Sequence, residues 1–576
     1  MKLAKTIWFV FILLFLAFIL GVAWFMTLSY DFLIEFAIQE LQRPDLKEAL
    51  EQRFFTNQKF LNLQRASYSI IPVGLAVLGY FIVKRKMIVR GVYDILRKIY
   101  YYSNLFVEGV FKSNSKIKIL FVSLLLLVLI RSVYYALYFY PQYDECWNYN
   151  YFLSNNFFTT FFAYNNYPLH NILSYGTLSL LPDSTFSMRL PNIFLGLLNM
   201  VLIYYLILRI FKNEKIALAS SAIFSVLPTI VFYFLFARGV MLAITFSILL
   251  LFFFLTKNIE RWTKADIFLV AILGALGNFS MISFPIFLLA IFAFTIFHSL
   301  YQGKGQTLRK LGYTALWLSV FTSLLYLPMF FGTSFELALH SQYTQQAFSW
   351  ELFWLKTGIV SKDQIGFTNG AFIFIGINFL LLFFSNRKRI IGLSLLLILI
   401  PFALALASIL IPARSIGFQI LGYLFTLIVL LELCLKSMNT RVFTAISLLL
   451  IIAWNYKSTH HTFFDWSSRP DRGAYELAKV FQENNISSFY DIEGKYHYFV
   501  PSLLYHHKLK GKEIKYYTSN TNSARYQKIE NYTGDAFLAP MGKQDSSTMK
   551  ILYRYKDESN AFILFQLLPN PPSEAL

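Results

Sequence analysis

Apolar segments near twenty residues long recur along the whole chain, at about 7–28, 67–83, 118–139, 189–208, 216–235, 238–256, 265–279, 281–297, 312–330, 368–385, 390–411, 415–435 and 440–457. Wound as a helix, a run of this length matches the roughly 30 Å hydrocarbon layer of a bilayer, where only helices and closed barrels satisfy their backbone polar groups. The sequence therefore predicts a mainly α membrane protein with about 13 transmembrane helices. Composition agrees: the 576 residues are 57% hydrophobic and only 14% charged, against roughly 25% charge in an ordinary soluble domain. Lys2 and Lys5 before the first run imitate a secretory leader. That run is long, lacks a small-residue cleavage pattern and precedes many others, so it reads as a retained helix. The pair between 265 and 297 is interrupted by Gly274, Gly277 and Asn278, and reads either as two spans or as a hairpin. Both choices return the chain to the same side.

The net charge of +20 sits mostly in short links between apolar runs, which makes it a topology signal and not a nucleic-acid face. Lys84, Arg85, Lys86, Arg90, Arg97, Lys98, Lys112 and Lys116 crowd the link after the second run. Further clusters follow in alternate links: Arg209, Lys212 and Lys215; Lys257, Arg261 and Lys264; Lys304, Arg309 and Lys310; Arg387, Lys388 and Arg389; Lys436 and Arg441. Placing these inside puts the N-terminus inside, and the links 29–66, 140–188 and 331–367 and everything after about 458 outside. Three regions result: a two-span extension over 1–117, a polytopic domain over 118–457, and a polar C-terminal domain over 458–576. An amphipathic helical pattern near 471–483 and strand-like runs at 486–490, 514–517, 535–539, 549–555 and 561–567 make that last part a small α/β domain.

The polar run Tyr143-Asp144-Glu145-Cys146-Trp147-Asn148 follows the third apolar segment and sets two carboxylates at the membrane mouth. Charge beside hydrocarbon is costly unless compensated, so the pair is a candidate site, although outside loops are also acidic simply because they face water. Beyond it the link runs through Phe157, Phe158, Asn165, Asn166 and Tyr167 to Pro168-Leu169-His170. Its aromatics and amides suit a headgroup layer over a cavity or an interfacial anchor belt. Arg131 lies within an apolar run, and Arg189, Arg238 and Arg414 stand at the same outer face, against the positive-inside bias. A guanidinium grips phosphate with paired charge-assisted bonds; the plain alternatives are internal pairing for Arg131 and snorkelling for the others. The link 331–367, with His340, Trp350, Glu351 and Trp354, is long enough to serve as a lid. Cys146 and Cys434 fall near opposite surfaces, so no disulfide is expected. The pairs His460-His461 and His506-His507 lack metal-ligand spacing, and GxGxxG, Walker, GxSxG and HExxH motifs are absent from the sequence.

Taken in order, Asp144-Glu145, Asn165-Asn166-Tyr167-Pro168-Leu169-His170, Arg189-Leu190-Pro191 with Gly196, Leu227-Pro228 and Ala237-Arg238 resemble the dolichyl-phosphate-mannose protein mannosyltransferase and aminoarabinose transferase superfamily. The similarity covers about 118–435. It implies a GT-C type glycosyltransferase fold in a bacterial inner membrane, with a cavity on the periplasmic side and a polyprenyl-phosphate-linked sugar as donor. The domain after about 458, which the basic links place on that same side, and the first two spans lie beyond the strongest resemblance. Asp144 matches the acidic residue of the family loop, with Glu145 beside it, and His170 matches a histidine of bacterial members. Tyr167 stands where many members carry histidine, so no role passes to that position. Arg131, Arg189, Arg238 and Arg414 are the candidates for the lipid phosphate or substrate.

Such a transfer needs an acceptor hydroxyl or amine positioned and relieved of its proton, and a phosphate leaving group whose charge is held. Asp144 and Glu145 are the candidate catalytic acids. Two carboxylates are too few ligands to argue a divalent cation, which stays open. The acceptor class is a protein, a glycolipid or a polysaccharide. Competing readings are a transporter of a lipid-linked or anionic solute, using the same arginines, and a lipid-linked glycan polymerase or ligase.

Overall fold

The computed structural model describes residues 2–41, 51, 56–154, 159–162, 167–182, 184–332, 349–407, 409, 413–437, 440–459, 468–491, 500–509, 514–518, 536–540, 549–556 and 561–567. Asn165, Asn166, His340, His460 and His461 lie outside the described residues, as does the stretch 333–348 of the proposed lid. Each of the thirteen apolar segments falls mainly on helix where its residues are described. Among the described residues seven helices, including Ser115–Tyr138, Thr185–Phe211 and Lys388–Leu406, are long and apolar enough to cross a membrane, and up to nine spans result if each of two bent pairs is one span.

Four of the other six segments break or shorten for local reasons. The segment 216–235 breaks into Glu214–Val226 and Pro228–Leu235, bent by 66°. Pro228 carries no N–H and disfavours the α conformation at Leu227, which is extended at φ −61°, ψ 133°. The segments 238–256 and 265–279 form helices of 17 residues each, Val240–Thr256 and Lys264–Ser280, or about 25 Å at 1.5 Å per residue. The stretch 368–385 yields Gly370–Phe384, set at 78° to the helix before it. Pro228 marks the first of these breaks in the sequence, whereas the apolar runs 238–256 and 265–279 carry no mark of how short their helices are.

Packing centres on Thr185–Phe211, here called the long helix, which touches Ser115–Tyr138, Pro168–Leu180, Glu214–Val226, Pro228–Leu235, Val240–Thr256 and Arg85–Phe111. At Gly196 a Cβ would stand 2.2 Å from the Phe234 ring, so only glycine admits that close approach. Around it Ile203, Ile207, Ile223, Phe224, Phe254 and Phe425 are buried in one continuous core. Leu127 and Ile130 on Ser115–Tyr138 face outward and exposed, an arrangement suited to lipid contact.

The C-terminal part builds a five-stranded sheet in the order β2-β1-β3-β5-β4. β1 (Ser488–Asp491) runs parallel to β2 (Lys515–Thr518) and β3 (Ala536–Pro540). β5 (Ala561–Leu567) lies antiparallel to β3 and β4 (Met549–Lys556), with an irregularity between Ile551 and Tyr553. Ala474, Leu477, Ala478 and Phe481 recur at helical spacing along Ser468–Glu483 and pack on Phe489, Leu538 and Leu564. A second helix, Val500–Lys508, divides its faces: Val500 and Leu503 enter this core. Its Tyr505 instead enters a separate cluster with Cys146, Tyr149, Met188 and Ala237. The C-terminal sheet is thereby tied directly to the acidic loop.

Candidate active site

Ser115–Tyr138 ends at Phe139, whose extended backbone leads through Pro141 into the acid helix Tyr143–Asn148. Asp144 and Glu145 occupy its first turn, where the unsatisfied N–H groups and the helix dipole favour negative charge. Successive residues on an α-helix diverge by about 100°, so the two carboxylates face different surroundings.

Glu145 turns inward and is fully buried. Its Oε1 accepts from Arg189 Nε at 2.9 Å and from the Ala237 N–H at 2.8 Å. Its Oε2 accepts from Arg189 Nη2 at 2.6 Å and from the Gln142 N–H at 2.8 Å. Arg189, at the start of the long helix, spends its other N–H groups on the backbone ending Ser115–Tyr138: Nη1 donates to Ala136 and Phe139 carbonyls at 3.4 and 2.9 Å, and Nη2 to Tyr140 at 3.0 Å. Five donors thus have five acceptors, and a cation meets a helix C-terminus. No fork is left over for a phosphate.

Asp144 turns the other way, with its Oδ2 3.3 Å from Arg238 Nη1 and 16% of its side chain accessible. Arg238 belongs to the turn between Pro228–Leu235 and Val240–Thr256. Asn192 on the long helix pins that turn by donating from Nδ2 to the Phe236 carbonyl and to the Arg238 carbonyl, the latter at 3.1 Å. Gly239 closes it, since a Cβ there would lie 2.0 Å from the Ser280 carbonyl oxygen. The guanidinium of Arg238 stacks over Tyr167 at 4.6 Å, and its buried Nε has no partner among the described residues.

His170, fully buried on Pro168–Leu180, sets Nδ1 3.3 Å from Ser174 Oγ. Burial, and then the charge of Arg238, pull its pKa down to about 3, so the imidazole is neutral at physiological pH. Its Nε2 has no hydrogen-bond partner among the described residues. Nearby, Asn148 Nδ2 donates to Asn171 Oδ1 at 2.8 Å, joining the acid helix to the helix of His170.

The structure thus gathers Asp144, Glu145, His170, Arg189 and Arg238 at one end of the bundle and leaves Arg131 apart. Arg131 donates to the Ser225 carbonyl at 2.7 Å and approaches Asn455 Oδ1 at 3.5 Å. Arg414 lies on the short helical stretch Ala413–Gln419, and its side chain is outside the described residues. No group of three or more His, Cys, Asp or Glu side chains able to hold a metal occurs among the described residues. Asn192 and Tyr505 escape sequence reasoning. Asn192 is legible afterwards as an amide in an apolar helix, three residues beyond Arg189. Tyr505 has no such mark: its ring meets Tyr149 edge-on at 5.0 Å and its hydroxyl lies 2.8 Å from Thr185 Oγ1.

Crystallised ArnT from Cupriavidus metallidurans in the apo state superposes on 78% of this chain and 97% of its own length, with a TM-score of 0.53 and 13% identity. The chain has an ArnT-like GT-C fold. ArnT bound to undecaprenyl phosphate gives a TM-score of 0.52 at 12% identity, over 79% of this chain and 98% of that one. The Saccharomyces cerevisiae protein O-mannosyltransferase Pmt1-Pmt2 complex bound to the sugar donor overlaps 39% of this chain and 35% of its own, with a TM-score of 0.33 and 16% identity. No family model and no curated protein sequence matches the chain. With helices fit to cross a membrane and an ArnT-like fold, it is a multi-pass membrane protein.

Proposed function

We propose that this chain transfers a sugar from a polyprenyl-phosphate donor to a cell-envelope acceptor on the non-cytoplasmic face of a bacterial inner membrane. The observation that carries the reading is the Asp144–Arg238 pair, its acid 16% accessible and its arginine buried, beside the saturated Glu145–Arg189 pair, in a fold shared with a protein crystallised with undecaprenyl phosphate. The basic links at the other end of the bundle support an outward-facing site. The regions 1–117, 118–457 and 458–576 then act as extension, catalytic domain and outer domain.

In this mechanism Asp144 orients the acceptor O–H or N–H and takes its proton as the acceptor atom bonds to the anomeric carbon. The bond from that carbon to the phosphate oxygen breaks in the same step, and the electron pair leaves with the phosphate. Arg238 holds the developing charge with a fork that lysine lacks. Neutral His170 sits behind Arg238 without adding a second positive charge. Glu145 and Arg189 hold the acid helix against the long helix, and Arg131 braces helices in the bundle; neither arginine takes the phosphate in this assignment.

Purified protein given a panel of polyprenyl-phosphate sugars with protein, glycolipid and polysaccharide acceptors should yield a mass increase on one acceptor class, read by mass spectrometry. Asp144→Asn should bind donor and fail to transfer. Absence of transfer to every acceptor class, or turnover by Asp144→Asn at the wild-type rate, would overturn the assignment.

A further inference from the structure

The opposite end of the bundle carries a second concentration of charge that the transfer reaction does not use. Arg209 stands twenty residues beyond Arg189 on the long helix, a rise of about 30 Å, or one hydrocarbon thickness. There a cavity of about 520 Å³ is lined by Arg209, Lys257, Arg387 and Arg389. A neighbouring cavity of about 800 Å³ shares Tyr101, Thr256 and Lys257 with it and adds Arg97, Lys98, Arg261 and Lys264 against the carboxylates of Asp94 and Asp266. The helix Arg85–Phe111 forms one wall, so the extension contributes to the trough.

Some of these charges are already answered. Arg387 makes a paired contact with Glu432 at 3.0 and 2.8 Å, and Lys98 meets Asp266 at 3.2 Å. Arg209, Lys257 and Arg389 meet no carboxylate among the described residues. Arg209 Nε donates to the Tyr205 hydroxyl at 3.0 Å. Arg389 Nη2 donates to the Phe254 carbonyl at 2.7 Å, while its Nε is cut off from solvent with no partner among the described residues. The Lys257 ammonium lies 4.9 Å from the centre of the Tyr102 ring and 5.7 Å from that of Phe252. Burial pushes its pKa below the usual lysine range; Asp266 opposes the fall, and Arg209 and Lys98 add to it.

Inside-positive topology needs only cations somewhere in an exposed link. It does not require three of them to converge on a cavity, one desolvated among aromatic rings and one with a buried N–H unanswered. Like charges held this close repel, and an anion with several acceptor oxygens relieves both the repulsion and the missing hydrogen bond. Leu105, Ile210, Leu255 and Ile390 line the same cavity, so its occupant meets apolar surface as well as charge.

We propose that this trough binds a phosphate-bearing anion, with the phosphodiester headgroup of an anionic membrane lipid as its occupant. The proposal is independent of the transfer reaction at the other end. Full-length protein in detergent would be titrated with phosphatidylglycerol and phosphatidylcholine under native mass spectrometry, and with inorganic pyrophosphate in a thermal-shift assay. Wild type should retain phosphatidylglycerol in preference to phosphatidylcholine. Lys257→Ala should lower that retention about tenfold, the scale of one charge-assisted hydrogen bond, and Lys257→Arg should keep most of it. An unchanged ligand-free unfolding temperature separates lost binding from lost fold, and Arg209→Gln serves as the second variant should Lys257→Ala fold poorly. A pyrophosphate shift that vanishes in the variant, without preference among lipids, supports the phosphate site and makes its source soluble. Equal retention of both lipids by wild type and variants, with no pyrophosphate shift, overturns the proposal.

Discussion

The Glu145–Arg189 and Asp144–Arg238 pairs start from adjacent residues of one short helix, yet the first is 2.6 Å long with side chains 0% and 1% accessible, and the second is 3.3 Å long with its acid 16% accessible. The first pair has every donor and acceptor engaged within the protein. The second has an acid 16% accessible and an arginine Nε unanswered among the described residues. Pairing an acid with an arginine is therefore no guide to its role. What separates the two pairs is access: one is sealed inside the protein and the acid of the other reaches solvent. At the far end the division is one of partners, since Arg387 is paired with Glu432 and Lys257 lies over the Tyr102 ring.

The sharpest way to break this comparison is Glu145→Gln. It leaves the Arg189 charge buried without its partner, and loss of one member of a buried pair costs about 3–5 kcal/mol. Unfolding temperature and membrane abundance should both fall steeply; a variant as stable as wild type would mean that the pair does not hold the loop. Asp144→Asn should do the reverse, leaving abundance and donor binding near normal while transfer drops at least about 10²-fold, equivalent to roughly 2.7 kcal/mol. Equal stability losses in the two variants would erase the division between them.

A smaller effect tests the pocket behind Arg238. His170 has its folded pKa depressed to about 3, below the ordinary value near 6.5. The unfolded chain therefore binds the proton first, and the stability this residue contributes is complete above about pH 6.5 and declines as pH falls toward 3. By pH 5 the loss should approach about 2 kcal/mol. His170→Asn should flatten the dependence of unfolding temperature on pH between 6.5 and 5, and an unaltered slope would show that other groups set it. The smallest expected effect is Arg238→Lys, which keeps the charge and loses the fork. Binding of a non-hydrolysable polyprenyl-phosphate sugar analogue should weaken about tenfold, or roughly 1.4 kcal/mol, with more binding kept than in Arg238→Ala. A lysine variant with wild-type affinity would leave charge alone as the requirement.

Much of the site was legible as chemistry and little of it as geometry. Asp144, Glu145, His170, Arg189 and Arg238 are all visible as polar residues at the edges of apolar runs, and they do converge. Their division of labour is not visible, because it depends on which helix face each residue occupies and on what the backbone offers there. Arg131 shows what sequence position leaves out: the structure sets it apart from those five, beside a carbonyl and an amide contributed by residues 225 and 455, with its buried Nε unanswered among the described residues.

The sequence by itself determined the membrane class, the helical content, the alternation of basic links and the strand positions of the C-terminal sheet. These follow from local quantities: run length against bilayer thickness, charge per link, and the two-residue and 3.6-residue periods. Tertiary structure alone decided the angles at which broken apolar runs meet, and which arginine closes on which acid. It also decided that Tyr505, 360 residues beyond Glu145, packs beside the acid helix. Those outcomes depend on contacts between segments far apart in the chain. A buried guanidinium settles where several carbonyls and a carboxylate can answer it together, and such a place exists only once the helices have met.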